Sequence, residues 1–138
     1  MKEQTKLEYV LEEIHKLIIE ENIQVGEKLP SERYLKEELN VSRQSVREAL
    51  RALEMLGVIY VKIGEGTFLA DFKNHKLFDL IIKYIVRTDE QRMELIDIQH
   101  IIEAHIREKY EGNKTVEEDD NQILKTLYAV IKSYTEQL

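Results

Sequence analysis

The chain has 138 residues, 43% of them hydrophobic and 34% charged, with a formal net charge of -7; that is enough for one domain, or for one small domain with a helical appendage. It has no cysteine, which excludes disulfides, thiolate zinc sites and cysteine nucleophiles. It also has no apolar run of about 20 residues that would span a bilayer and no apolar signal region after Met1-Lys2-Glu3-Gln4-Thr5-Lys6, so a soluble cytoplasmic protein is expected.

Leu7, Val10, Leu11, Ile14, Leu17 and Ile18 recur at three- and four-residue steps. This is the apolar stripe of an amphipathic helix, which should end near Glu21-Asn22. Pro30 then precedes Ser31, a good N-cap for a short second helix with Leu35 and Leu39 facing inward. Asn40 can adopt the left-handed turn that ends it. Ser42 caps a third helix, with Val41 and Val46 placed as a hydrophobic staple. Val46, Ala49, Leu50, Leu53 and Leu56 share one arc of that helix; Arg43, Gln44, Arg47, Glu48 and Arg51 share the opposite arc. Gly57 ends it.

The hydrophobic period then changes to two. Residues 58–62 and 67–70 read as strands joined by the turn Gly64-Glu65-Gly66, a two-stranded hairpin that needs the helices to pack against. Residues 71–76 read as a linker, which divides the chain into a first domain over residues 1–72 and a second over 73–138. The second is all helical. Leu77, Leu80, Ile81, Tyr84 and Ile85 mark one helix. Thr88 and Gln91 fit a capping box that opens a long helix to about Tyr110, with Leu95, Ile98, Ile102 and Ile106 as its main stripe. Glu111-Gly112-Asn113 breaks it. Thr115 and Glu118 fit a further capping box before a last helix carrying Ile123, Leu127, Val130, Ile131 and Tyr134.

The expected fold class is therefore mainly α: a winged helix-turn-helix of three helices and a two-stranded β-hairpin, followed by a small all-helical region. Burying one arc of the third helix forces the other outward, with Arg43, Gln44 and Arg47 near its start. A helix fits the major groove of B-DNA, and residues near its N-terminus reach base edges. Arginine can contact guanine at two points and glutamine can do the same with adenine. The hydroxyls of Ser42 and Ser45 are candidates for short contacts to the DNA backbone. Against the acidic total, the stretch from Lys28 to Arg51 holds six basic residues and four acidic ones. Such a local surplus leaves recognition to one small basic face.

Lys28-Leu29-Pro30-Ser31-Glu32-Arg33, Val41-Ser42-Arg43-Gln44-Ser45-Val46-Arg47-Glu48-Ala49-Leu50, Leu56-Gly57 and Gly64-Glu65-Gly66-Thr67-Phe68 occur in an order and spacing that resembles the GntR family of bacterial regulators. The resemblance covers about residues 7 to 70. It implies that Arg33 touches the DNA backbone and that Ser42, Arg43, Gln44, Ser45 and Arg47 lie on or near the recognition helix. It further implies that the wing from Gly64 through Gly66 to Thr67 enters the minor groove, and that the protein binds a palindromic operator as a dimer. The family often has a basic or small residue between the two wing glycines. Here that residue is Glu65, so Lys62 is the candidate for the wing's positive charge. Residues 77 to 135, above all Glu94-Leu95-Ile96-Asp97-Ile98 leading to Ile102-Glu103, resemble the opening helices of the FCD effector domain of one GntR subfamily. The chain reaches Leu138 before that domain's metal-binding positions, as a fragment or a shortened regulator would.

Other residue groups read as structural. His100 and His105 lie about 140° apart around a helix and do not share a face, and neither they nor His15 and His75 form a metal site. The acidic run Glu117-Glu118-Asp119-Asp120 reads as the first turn of the last helix, favoured by the helix dipole. No cofactor and no catalytic constellation is indicated. The function expected is a DNA-binding regulator, a repressor acting as a homodimer through its C-terminal helices on operator DNA. The alternative is a protein–protein docking module built on a winged helix.

Overall fold

A computed structural model describes residues 3–71, 73 and 76–136. Contacts divide the chain into two compact units, Met1–His75 and Lys76–Leu138. The expected linker 71–76 falls at this division; its residues 72, 74 and 75, including His75, lie outside the described residues.

In the first unit, α1 spans Lys6–Glu20, α2 Glu32–Leu39 and α3 Arg43–Met55, followed by strands β1, Ile59–Lys62, and β2, Gly66–Leu69. The local chemistry explains each start and stop. Thr5 and Glu8 form a reciprocal capping box on α1, a start the apolar periodicity alone did not mark. The Ser31 side chain accepts the N–H of Tyr34 at 3.1 Å, and Ser42 accepts that of Ser45 at the same distance. Asn40 ends α2 with φ of 52°. At the end of α3 the Gly57 and Val58 N–H groups bond back to Glu54 and Leu53, closing the helix with an overlapping pair of turns.

Val10, Ile14 and Leu17 of α1, Leu35 and Leu39 of α2, and Val46 and Ala49 of α3 are buried together with Leu29 and Ile59. Each of these large side chains contributes about 1.5–3 kcal/mol when fully removed from water, so the three-helix arrangement is set chiefly by this cluster. The strands pair antiparallel, Ile59 opposite Leu69 and Lys62 opposite Gly66. The hairpin does not stand alone. Residues 26–29 run along the free edge of β2: the Leu29 N–H donates to the Thr67 carbonyl at 2.8 Å, and the Leu69 N–H donates to the Glu27 carbonyl at 3.0 Å. This third, irregular strand was not foreseen from the sequence. It ties the wing to the segment just ahead of α2. The unit is a winged helix-turn-helix.

The second unit holds α4, Leu77–Ile85, α5, Asp89–Lys109, and α6, Gln122–Thr135. Thr88 and Gln91 form the expected capping box. Glu111, with φ of 53°, and Gly112 turn the chain after α5. Ile106, Val116 and Tyr128 form the buried cluster of this unit. One expectation is corrected here. The Glu118 carboxylate accepts the N–H and hydroxyl of Thr115, but this box caps only a single 3-10 turn, Val116–Glu118. The last helix starts later, where the Asn121 side chain accepts the N–H of Leu124 at 3.0 Å. The acidic run is therefore not a helix first turn, and Asp119 within it is buried. Among the described residues, no helix is long and apolar enough to cross a membrane.

Candidate nucleic-acid interface

Packing α3 through Val46 and Ala49 leaves its N-terminal outer face open. Arg43 and Gln44 are exposed there, and no hydrogen bond or ion pair engages either side chain among the described residues. Arg47, one turn on, is half-exposed; its Nε donates to Oε1 of Glu32 in the first turn of α2 at 3.0 Å. The pair links the two helices of the helix-turn-helix. Because Nε makes this bond, the two terminal nitrogens of the guanidinium remain free to face outward. Arg33 is exposed and holds Glu37 at 3.3 Å across one helical turn, a surface pair of the kind that contributes about 0–1 kcal/mol and exchanges readily.

Glu32, Arg33, Glu37, Arg43 and Arg47 line one open groove of about 1130 Å³ between the start of α2, the outer face of α3 and the wing. Its basic members are Lys28, Arg33, Lys36, Arg43, Arg47 and Arg51; its acidic members are Glu32, Glu37 and Glu54. The far wall is the wing face bearing Val61, Gly66 and Thr67. Six cations against three carboxylates on an otherwise acidic chain make this a focused attractive field for a polyanion.

Of the residues singled out from sequence, Arg33, Arg43, Arg47, Gly66 and Thr67 come together on this groove; Ser42 and Gln44 are exposed at the start of α3 but do not line it. Two point elsewhere. Ser45 is only 8% exposed, its Oγ lying 2.8 Å from that of Ser42, so its hydroxyl is used inside the helix start and is not offered to DNA. The spacing contained that signal, since Ser45 lies one turn before Ala49 on the buried arc. Lys62 stacks its ammonium 5.1 Å from the ring centre of Phe68, on the strand face carrying Tyr60, away from the groove. Conversely, Lys28, Lys36 and Arg51 join the groove although sequence reasoning counted only their charge. Gly64 shapes the wing tip with φ of 79°.

Gly66 has a specific requirement. Its φ is 127°, and a Cβ there would sit 2.5 Å from Lys28 Cε. The lysine tip can move, but the backbone strain stays. Gly66→Ala is expected to destabilise the first unit by about 1 kcal/mol or more and to push Lys28 off the wing. A thermal melt beside a duplex-affinity measurement reads both effects.

Residues 6–69, which contain the three helices, the wing and the groove, match the family described as bacterial regulatory proteins, gntR family. Within these residues the chain is similar to the DNA-binding part of that family. Among similar proteins, the HTH-type transcriptional regulator Mce2R of Mycobacterium tuberculosis is 38% identical over 100 residues, covering 72% of this chain and 41% of that protein. The HTH-type transcriptional repressor NanR of an Enterobacter species is 48% identical over 56 residues, covering 41% of this chain and 22% of that protein. The chain thus spans less than half the length of these curated relatives. A solved Streptococcus agalactiae GntR structure shares the fold, with a TM-score of 0.55 and 22% identity over 95% of this chain and 82% of that one.

Proposed function

We propose that this chain is a sequence-specific, DNA-binding transcriptional regulator of the cytoplasm that lays the N-terminal part of α3 in the major groove of operator DNA. The observation that carries the reading is the convergence of Arg33, Arg43, Arg47 and Arg51 with Lys28 and Lys36 on one open groove, with Arg43 and Gln44 unengaged at the helix start. Arg43, Gln44 and Arg47 then face base edges, while Arg33, Lys28, Lys36 and the Ser42 hydroxyl face phosphates. The first domain, residues 1–72, would carry this contact. The wing from Gly64 to Thr67 would follow the adjacent minor groove.

The second domain, residues 73–138, is read as a dimerisation region and as the opening part of an FCD-type effector domain. Leu77, Ile81 and Ile85 of α4 and Met93, Ile98 and Ile101 of α5 expose apolar surface, more than a lone unit of this size ordinarily leaves to water. A homodimer would place two recognition helices on a palindromic operator. The 48% identity to NanR, a repressor by its name, supports repression as the sign of regulation.

The test is duplex binding as a function of salt, with a duplex enriched by the protein from a random pool. Counterion release predicts a log–log slope of roughly -5 or steeper for a dimer neutralising several phosphates per half-site. Light scattering should find twice the chain mass on one duplex. Absence of duplex binding even at low salt would sink the regulator reading in favour of a protein-docking module.

A further inference from the structure

The wing ends in an unusual tip. Ile63 is 98% exposed, the most exposed large apolar side chain among the described residues. It occupies the first central position of a turn closed by the Glu65 N–H donating to the Lys62 carbonyl at 3.0 Å, with Gly64 at the second. On one face of β1 Ile59 is buried and Val61 is half-exposed, and Ile63 follows in the turn beyond the strand. Ile59 and Val61 line the basic groove, and Ile63 stands at the tip of the same hairpin. The Lys62 ammonium is drawn back over Phe68, and Glu65 repels anions.

We infer that Ile63 is an apolar minor-groove wedge: the wing tip engages operator DNA by nonpolar contact with the groove walls and the base step beneath, not by charge. This inference rests on the regulator reading above. An isoleucine cannot hydrogen-bond to base edges, so the contact selects for how easily a step opens and how wide the groove is. Flexible pyrimidine–purine steps favour such insertion, and inserted apolar side chains bend the duplex. Gly64, without a side chain, lets the tip approach the sugar–phosphate walls closely.

The experiment compares the full-length parent, Ile63→Ala and Arg43→Ala on a duplex enriched by the parent from a random pool, measuring affinity against salt and the bend by circularly permuted probes. Ile63→Ala should lose about tenfold in affinity, the scale set by withdrawing part of a buried aliphatic side chain. Its salt slope should be unchanged and its bend smaller. Arg43→Ala should lose affinity through a base-edge contact and relax the sequence preference at one base position. Because Ile63 is 98% exposed, the melting temperature of Ile63→Ala should match the parent's. An Ile63→Ala affinity within twofold of the parent would overturn the wedge while leaving the regulator reading intact. A changed salt slope would overturn it too, since the contact would then be electrostatic. Failure of the parent to bind any duplex would remove both.

Discussion

Arg47→Ala should weaken operator binding more than any other single truncation in the groove. Two losses combine. The first is the arginine's own contact with a base edge or phosphate, about 1–3 kcal/mol for a base-reading arginine. The second is the release of Glu32. In the native fold the Glu32 carboxylate is held 3.0 Å from Arg47 Nε; without the guanidinium it stands unneutralised on the wall of the groove proposed to take phosphates. Among the described residues Arg43 has no such partner, so Arg43→Ala should incur only the first loss. The expected order of affinity is parent, then Arg43→Ala, then Arg47→Ala, with the last down by more than tenfold. Adding Glu32→Gln to Arg47→Ala should restore part of the affinity, because it removes the bare charge. The pair is half-exposed and contributes little to folding, so melting temperatures should move by far less than binding does. An Arg47→Ala variant that binds the enriched duplex as the parent does would end the assignment of this groove to DNA.

Much of this surface was legible in the sequence because its determinants are local. Ser31 and Ser42 announce helix starts by side chain, Asn40 ends a helix by tolerating positive φ, and Val46 with Ala49 fixes which arc of α3 is buried. Once that arc is fixed, Arg43 and Arg47 must face out. What stayed hidden depends on partners distant in sequence. Residues 26–29 carry no strand pattern; they pair with β2 because the chain delivers them to its edge, about 40 residues away. Lys62, expected to supply the wing's positive charge, holds its ammonium over Phe68, which stacks on Tyr60, a cross-strand arrangement that no local pattern specifies. The Glu32–Arg47 pair spans 15 residues and two helices, so no local rule predicts it.

The start of α6 shows the same limit in a sharper form. Thr115 with Glu118 satisfies the capping-box pattern, and the box forms, yet the helix does not follow. The next residue, Asp119, is turned inward and is 1% exposed. It breaks the chain direction because its carboxylate is claimed by groups outside the segment. Lys109 Nζ donates to Oδ1 at 2.7 Å, the Tyr110 hydroxyl donates to the same oxygen, and the Asn121 N–H donates to Oδ2 at 3.0 Å. Three donors from the end of α5 and the start of α6 converge on one side chain, which therefore fixes the connection between those helices and keeps Val116 over Ile106.

This geometry predicts that Asp119 governs the stability of the second unit and its acid limit. The Lys109 ammonium, the Tyr110 hydroxyl and the Asn121 N–H hold its carboxyl far below the ordinary 3.8. In the fold the group is ionised where an unfolded chain would already bind a proton. Its contribution is then fully present above the ordinary carboxylate pKa and is lost as pH falls below it, because the unfolded state takes up the extra proton. At the alkaline side the sign reverses. Lys109 and Tyr110 are both raised by their bonds to Asp119, so their share persists below about pH 10 and fades as pH rises further. Asp119→Asn keeps the size but removes the charge and turns a donor amide toward a cluster of donors. It should lower the melting temperature of the second unit by several degrees at neutral pH. It should also flatten the loss of stability between about pH 5 and pH 3. Amide exchange at Ile106 and Ile131, both buried in that unit, should quicken selectively while Val10 and Ile14 keep their protection. Equal exchange in parent and variant would mean that the buried carboxylate is only a passenger of the turn.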